Sequence, residues 1–213
     1  MITLWHCAGT RSFRALWALE EIGIDYELRP MAFPPRAREP GYLEINPMGT
    51  VPTFLDGDTL MTESAAICEY LAARYGPSFA VGPEQPGFSA YLNFLHMSDA
   101  TLTFPQTLVL RYTRLEPPER RLPQAAADYA QWFHSRLRGA MKLMGSEDFA
   151  AAGRFTVADI AVAYALRLAD TLGLSERFPD PARAYYERMQ ARAGYQRALA
   201  REAEGPSALA TSA

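Results

Sequence analysis

Gly76, Pro77, Gly82, Pro83, Pro86 and Gly87 crowd together in one stretch of this chain, and the sequence on either side of them obeys different periods. Glycine and proline are the strongest local breakers of regular structure. A cluster of them between two patterned regions reads as an interdomain linker. With 213 residues there is enough chain for two modest domains, each with its own core. The expected organisation is a first domain over residues 1–76, a linker over 77–87 and a second domain over 88–213.

Strand and helix signals alternate before the linker. Ile2 to Trp5 is a short apolar run that stops at Ala8-Gly9, and it lacks the basic and long apolar regions of a leader, so it reads as the first strand. Phe13, Leu16, Trp17, Leu19 and Ile22 then recur at helical spacing, and Gly23 follows where a helix ends. Tyr26 to Arg29 is a second strand closed by Pro30. Phe33 to Gly41 is loop-like, with at most a weak helix over Tyr42 to Ile45. Pro52 to Leu55 and Thr59 to Met61 flank Asp56-Gly57 as a hairpin, and Ala65, Ile67, Tyr70 and Leu71 mark a helix that ends at Gly76-Pro77. A helical crossover makes the first two strands parallel, whereas the hairpin is antiparallel. The expected fold is therefore α/β, a thioredoxin-like domain with a mixed four-stranded sheet, followed by an all-α bundle.

After the linker every pattern is helical. Phe88 to Leu115 is a long apolar-rich segment with a break or kink expected at Pro105. Gln124 to Gly145, Val157 to Leu172 and a pair of shorter helices between Pro181 and Ala203 follow, and a frayed tail is expected from Gly205 onward.

Two short patterns carry chemistry. In Asn46-Pro47-Met48-Gly49-Thr50-Val51-Pro52 a strand opens on proline directly after a glycine turn, which makes Val51–Pro52 a candidate cis peptide. A cis bond would turn the Val51 N–H and C=O toward an extended peptide ligand. In Glu63-Ser64 a hydroxyl stands at a helix start as a candidate N-cap, beside the first-turn N–H groups that favour an anion. Ser64 would hold a carboxylate and Glu63 an ammonium, so an amino-acid zwitterion fits the pair. Each pattern also has a plain structural reading, as a proline turn and as a helix cap.

Together they resemble the glutathione transferase family, whose glutathione-binding pattern is Asn-Pro-x-Gly-x-Val-Pro followed by Glu-Ser-x-Ala-Ile. The chain matches it at Asn46 to Pro52 and at Glu63 to Ile67. Arg11 to Glu21 also resembles many bacterial members, and Phe155-Thr156-Val157-Ala158-Asp159-Ile160 resembles the family's helix-capping segment, a structural motif. The resemblance implies that Glu63 and Ser64 receive the γ-glutamyl end of glutathione and that Val51, before Pro52, pairs with its cysteinyl backbone. Where the family often has lysine before that valine, this chain has Thr50. Arg36 and Arg38 are then the nearest cations for the glycyl carboxylate.

The implied chemistry is formation of a thiolate, whose ordinary pKa near 8.5 falls beside donors at a helix start. Members of the family use tyrosine, serine or cysteine between the first strand and the first helix. No tyrosine precedes Tyr26, which leaves Cys7, Thr10, Arg11 and Ser12. Counting back from Gly23 puts the theta-class serine position on Thr10, which makes Thr10 the first candidate and Ser12 the second; Thr10 is equally a candidate N-cap. Cys7 has the spacing of a redox motif that has lost its second thiol, although it directly follows a strand and a buried role suits it better; Cys68 reads as core. Phe104, Leu108, Tyr112 and Tyr164 are candidates to line a hydrophobic second-substrate site in the helical half, with plain packing as the alternative, and His96 and Asp99 are candidates for a homodimer contact.

Charge and composition narrow the partners. A net charge of −3 with no basic stretch gives no footprint for nucleic acid. No apolar run reaches the roughly 20 residues that span a bilayer. Two distant cysteines suit a reducing, cytoplasmic setting, and His6, His96 and His134 show no metal-ligand spacing. Lys142 is the only lysine, so anion binding elsewhere falls to arginine. The expected function is that of a homodimeric, metal-free glutathione transferase of detoxification that takes glutathione and a small hydrophobic electrophile. The alternatives are glutathione-dependent peroxide or disulfide reduction, and a non-catalytic interaction module of the same fold.

Overall fold

A computed structural model describes residues 1–206; the part of the expected tail from Ser207 onward lies outside the described residues. The described residues form two compact units, one of Met1–Ala80 with residues 190–206, the other of Val81–Met189.

The first unit is built on four strands, β1 (Ile2–His6), β2 (Tyr26–Pro30), β3 (Thr53–Asp56) and β4 (Thr59–Met61), in the order β2-β1-β3-β4. β1 runs parallel to β2, with Leu4 opposite Leu28, and antiparallel to β3, with Leu4 opposite Phe54. This is the mixed sheet of a thioredoxin-like domain, as expected. β1 is buried along its whole length, as a strand covered on both faces must be. Trp5 and Cys7, two apart and so on one face, join Met31 and Tyr42 in an apolar cluster against which Phe33, Val51 and Leu55 pack. α1 (Ser12–Ile22) and α4 (Ser64–Tyr75) pack against each other. Asp56 fixes α4 on the hairpin by accepting hydrogen bonds from Tyr70 at 2.9 Å and Tyr75 at 2.5 Å. The stretch expected to be loop contains one helical turn, α2 (Pro35–Arg38), with proline at its first position, and α3 (Tyr42–Ile45) follows.

The last helix, α10 (Ala193–Ala203), joins this unit, whereas the sequence division groups it with residues 88–213. Its Tyr195 ring meets Trp17 edge-on at 4.9 Å and Phe13 at 5.4 Å. Arg192 donates twice to Glu21, at 2.7 and 2.9 Å. A Cβ on Gly194 would lie 2.5 Å from the Glu21 carboxyl carbon, so a larger residue there would displace the Glu21 side chain from Trp17 and Arg192. Burial of the Tyr195 ring contributes on the order of 2 kcal/mol. An amphipathic pattern reports that a helix face is buried but not against which element, which is why the sequence leaves this docking open.

The second unit comprises α5 (Phe88–Met97), α6 (Phe104–Leu110), α7 (Pro123–Met144), α8 (Val157–Thr171) and most of α9 (Asp180–Gln190). The break expected at Pro105 takes the form of wide, π-type turns over Ser98–Thr103, and the chain stays helical through it. The Thr103 hydroxyl donates to the Ser98 carbonyl at 2.6 Å and the Gln106 amide to the Leu102 carbonyl at 2.9 Å, so side chains bond carbonyls in the region where proline removes a donor. α8 is the central helix, buried from Val157 through Leu166, and it begins at the expected capping box of Thr156 and Asp159.

Candidate functional site

The register of the sheet brings the predicted residues to one end. Trp5, near the end of β1, pairs with Thr53, the first residue of β3, and Phe54 pairs with Met61, the last of β4. The segments that leave β1, enter β3 and leave β4 therefore lie together, and they carry Thr10, Val51 and Ser64.

The Thr50–Val51 peptide is clamped from inside. Its Thr50 carbonyl accepts from the Tyr42 hydroxyl at 2.6 Å and from the Asn46 amide at 2.9 Å. Asn46 is fully buried; its side-chain oxygen also accepts from the Met48 N–H at 3.0 Å, which shapes the turn. In a planar trans peptide the N–H points opposite to the C=O, so the Val51 N–H faces away from these donors. Among the described residues nothing hydrogen-bonds the Val51 N–H or C=O. The Val51–Pro52 bond is cis, as expected; Phe33–Pro34 is a second cis bond that the sequence does not mark. At Gly49, which has φ +62°, an added Cβ would come within 3.0 Å of the Arg36 Cβ. Arg36 thus stands against the loop that presents Thr50 and Val51, with its side chain exposed.

At α4 the structure corrects the expected cap. Glu63, extended at φ −90° and ψ 116°, is the N-cap, and Ser64 is the first helical residue, because the Glu63 carbonyl accepts the first helical bond from Ile67. Ser64, Ala65 and Ala66 keep first-turn N–H groups without a partner in the helix. Behind them lies Arg14, completely buried, whose Nη1 donates to Ser64 Oγ at 3.0 Å. Guanidinium only donates, so the Ser64 oxygen accepts and its own hydrogen is left to point elsewhere. A buried cation, an oriented hydroxyl and a helix start all favour a carboxylate at this point. Arg14 escaped the sequence reading, since nothing local marks it as the partner of a residue 50 positions away.

At the start of α1, Thr10 is half-buried and Ser12 fully buried. Thr10 Oγ1 lies 2.8 Å from Ser12 Oγ and 2.7 Å from the Cys7 carbonyl. Ser12 Oγ lies 2.8 Å from His6 Nδ1 and accepts from the Cys7 N–H at 3.2 Å. Ser12 is thus occupied by its neighbours, and Thr10 is the hydroxyl at the open side. Arg11 is the N-cap residue of α1, and the Thr10 hydroxyl oxygen accepts from the Ser12 N–H at 3.4 Å, the first N–H of the helix. Cys7 points into the apolar cluster; burial, with the Glu39 carboxylate adding to it, pushes its thiol up to about 12. Cys7 is thus placed as a core residue, the buried role that suits it better in the sequence. Cys68 is also buried.

In the second unit Phe104 is 48% exposed and meets Tyr129 edge-on at 6.4 Å, while Leu108 and Tyr112 are half-buried. Tyr164 is 3% exposed, which makes it a packing residue and corrects its expected place in a substrate site. His96 is exposed and Asp99 half-buried. Among the described residues no group of His, Cys, Asp and Glu is arranged to hold a metal ion, and no helix is long and apolar enough to cross a membrane.

Residues 1–73 match the family described as glutathione S-transferase, N-terminal domain. The first 73 residues are therefore a domain of the glutathione S-transferase family. It is 36% identical over 103 residues to glutathione S-transferase 3 of Schizosaccharomyces pombe, a match covering 48% of this chain and 43% of that protein, less than half its length. A theta-class glutathione S-transferase of the citrus canker pathogen Xanthomonas axonopodis pv. citri, solved with glutathione bound, superimposes with a TM-score of 0.79 at 26% identity, over 93% of this chain and 96% of that one. A glutathione transferase of Phanerochaete chrysosporium, solved with oxidised glutathione, shares the fold with a TM-score of 0.83 at 18% identity, over 95% of each chain.

Proposed function

We propose that this chain is a glutathione transferase in which the Thr10 hydroxyl activates the thiol of bound glutathione for attack on a small hydrophobic electrophile. The observation that carries the reading is the Arg14 to Ser64 hydrogen bond at the start of α4, which turns a serine and three first-turn N–H groups into a receptor for one carboxylate. Glutathione offers that carboxylate at its γ-glutamyl end, with an ammonium beside it for Glu63. Its cysteinyl backbone pairs with Val51 ahead of Pro52, and its glycyl carboxylate lies near Thr50 and Arg36. The Thr10 hydroxyl then donates to the sulfur. A carbon–sulfur bond forms as the leaving group departs with its electron pair, and the thiol proton leaves with it as the conjugate acid.

Peroxide or disulfide reduction would draw on the same thiolate. A route through this chain's own cysteine is disfavoured by the buried, protonated Cys7. The two buried cysteine thiols fit a cytoplasmic setting, and the exposed His96 side of α5 is the surface we assign to a homodimer contact.

Calorimetric titration with reduced glutathione tests the reading. Saturable binding by the wild type is expected, with affinity retained in Thr10→Ala but the bound thiol's pKa raised by about one unit. Absence of wild-type binding would overturn the proposal and point to an interaction module.

A further inference from the structure

The hydroxyl at the open side of the site is the end of a buried chain of polar groups. Thr10 Oγ1 and Ser12 Oγ are 2.8 Å apart, Ser12 Oγ and His6 Nδ1 are 2.8 Å apart, and His6 Nε2 faces Glu202 Oε1 of α10 at 3.4 Å. The last contact is within ion-pair distance but too poorly aligned to count as a hydrogen bond. Ser12 is 0%, His6 1% and Glu202 8% exposed, so the chain is shut off from water except at Thr10. Glu202 Oε1 also accepts from the Gly9 N–H at 3.0 Å, which ties α10 to the loop that carries Thr10. Among the described residues Glu202 is the one carboxylate within ion-pair distance of the imidazole.

Counting hydrogens orients the chain. A carboxylate only accepts, so it favours the tautomer with hydrogen on His6 Nε2 and leaves Nδ1 bare. Bare Nδ1 at 2.8 Å then takes the Ser12 hydrogen, and Ser12 Oγ takes the Thr10 hydrogen, which is shared with the Cys7 carbonyl. In this state both hydroxyls point inward and Thr10 shows a lone pair outward. It can accept from a thiol but cannot donate to a thiolate. Reversing both hydroxyls makes Thr10 a donor, and that requires a proton on His6 Nδ1.

We propose that Thr10, Ser12, His6 and Glu202 form a proton relay in which His6 receives the proton of the bound thiol and the Glu202 carboxylate holds it there. The proposal rests on the reading that Thr10 faces the glutathione sulfur. The thiol hydrogen passes to Thr10 Oγ1, the Thr10 hydrogen to Ser12 Oγ and the Ser12 hydrogen to His6 Nδ1. One S–H bond is lost and one N–H bond gained, leaving a thiolate that accepts from Thr10 and an imidazolium beside a carboxylate. The proton returns by the same path when the leaving group takes it. His6 and Glu202 are positioning residues here, acting on sulfur only through the two hydroxyls.

The test is made in the full chain with Ser12→Ala, His6→Gln and Glu202→Gln, by calorimetry with reduced glutathione and by ultraviolet titration of the bound thiolate. Each variant is expected to keep the glutathione affinity while the thiol pKa rises by about one unit, which lowers kcat/KM toward an aryl halide about tenfold near neutral pH. The double variant Ser12→Ala with His6→Gln is expected to rise no further than either alone, because a relay cut once is cut. Glu202→Gln keeps an acceptor for the Gly9 N–H and decides the matter if His6→Gln does not fold. A wild type that binds glutathione with a lowered thiol pKa, unchanged in Glu202→Gln, overturns the relay alone. A wild type that binds no glutathione overturns the relay together with the reading beneath it.

Discussion

The starts of α4 and α8 both carry a hydroxyl, and the two helices use it in opposite ways. At α8 everything turns inward. The Asp159 carboxylate accepts from the Thr156 N–H at 2.8 Å, the Ala150 N–H at 2.7 Å and the Tyr185 hydroxyl at 3.0 Å, and both Thr156 and Asp159 are fully buried. At α4 the helix's own side chains leave the first-turn donors open, and Arg14 takes the Ser64 oxygen from behind. A helix start closed by its own residues is scaffold. One whose hydroxyl is oriented by a buried cation is arranged to receive an anion.

The largest effect that would break this comparison is at Asp159. Asp159→Ala orphans two buried N–H groups and a tyrosine hydroxyl, each costing about 1–3 kcal/mol. A loss of at least about 3 kcal/mol in chemical denaturation is expected, and a loss below about 1 kcal/mol would mean that the start of α8 is not closed as described. Burial pushes Asp159 from the ordinary 3.8 up to about 6, against the pull of its donors. Because the folded value is the higher one, the stabilisation is present below the ordinary value and is lost as pH rises through about 6. Asp159→Asn should therefore lack a fall in stability that the wild type shows across that window in denaturation curves taken at several pH values.

Next in size is Ser64→Ala. A hydrogen bond to a charged carboxylate is worth about 1.5–3 kcal/mol, so glutathione should bind roughly tenfold to a hundredfold more weakly by calorimetry. Unchanged affinity would remove the contrast between the two helices. Thr156→Ala sharpens it from the other side. It should cost about 1 kcal/mol of stability and leave glutathione affinity where it was. Arg36→Ala is expected to have the smallest effect, a weakening of up to about fivefold that shrinks as salt is added, because an exposed charge pair is worth at most about 1 kcal/mol. A larger, salt-insensitive loss would place Arg36 in a more enclosed contact than its exposure indicates.

Much of the site is legible along the chain because it is built from local patterns. Pro52 after the Gly49 turn, Glu63-Ser64 before a helical run and Thr156 three residues before Asp159 each mark a conformation set by neighbours in sequence. What could not be read is the set of partners behind them. Tyr42 and Asn46 hold the Thr50 carbonyl, Arg14 holds Ser64, and Glu202 faces His6, the last across nearly the whole chain. Arginine inside a helical stripe reads as a surface residue, and only the packing of α1 against α4 makes Arg14 a buried donor. Likewise the direction of Cys7 depends on which face of β1 the cluster with Met31 and Tyr42 covers.

The sequence by itself determined the order of strands and helices, the mixed sheet and the turns that carry Thr10, Val51 and Ser64, because periodicity and turn chemistry act over a few residues. The tertiary structure decided which hydroxyl is open and which is enclosed, where α10 docks, and which buried charge orients each polar group. Those are properties of side chains brought together from distant positions, where burial makes an unpartnered donor or acceptor costly and so selects a single arrangement.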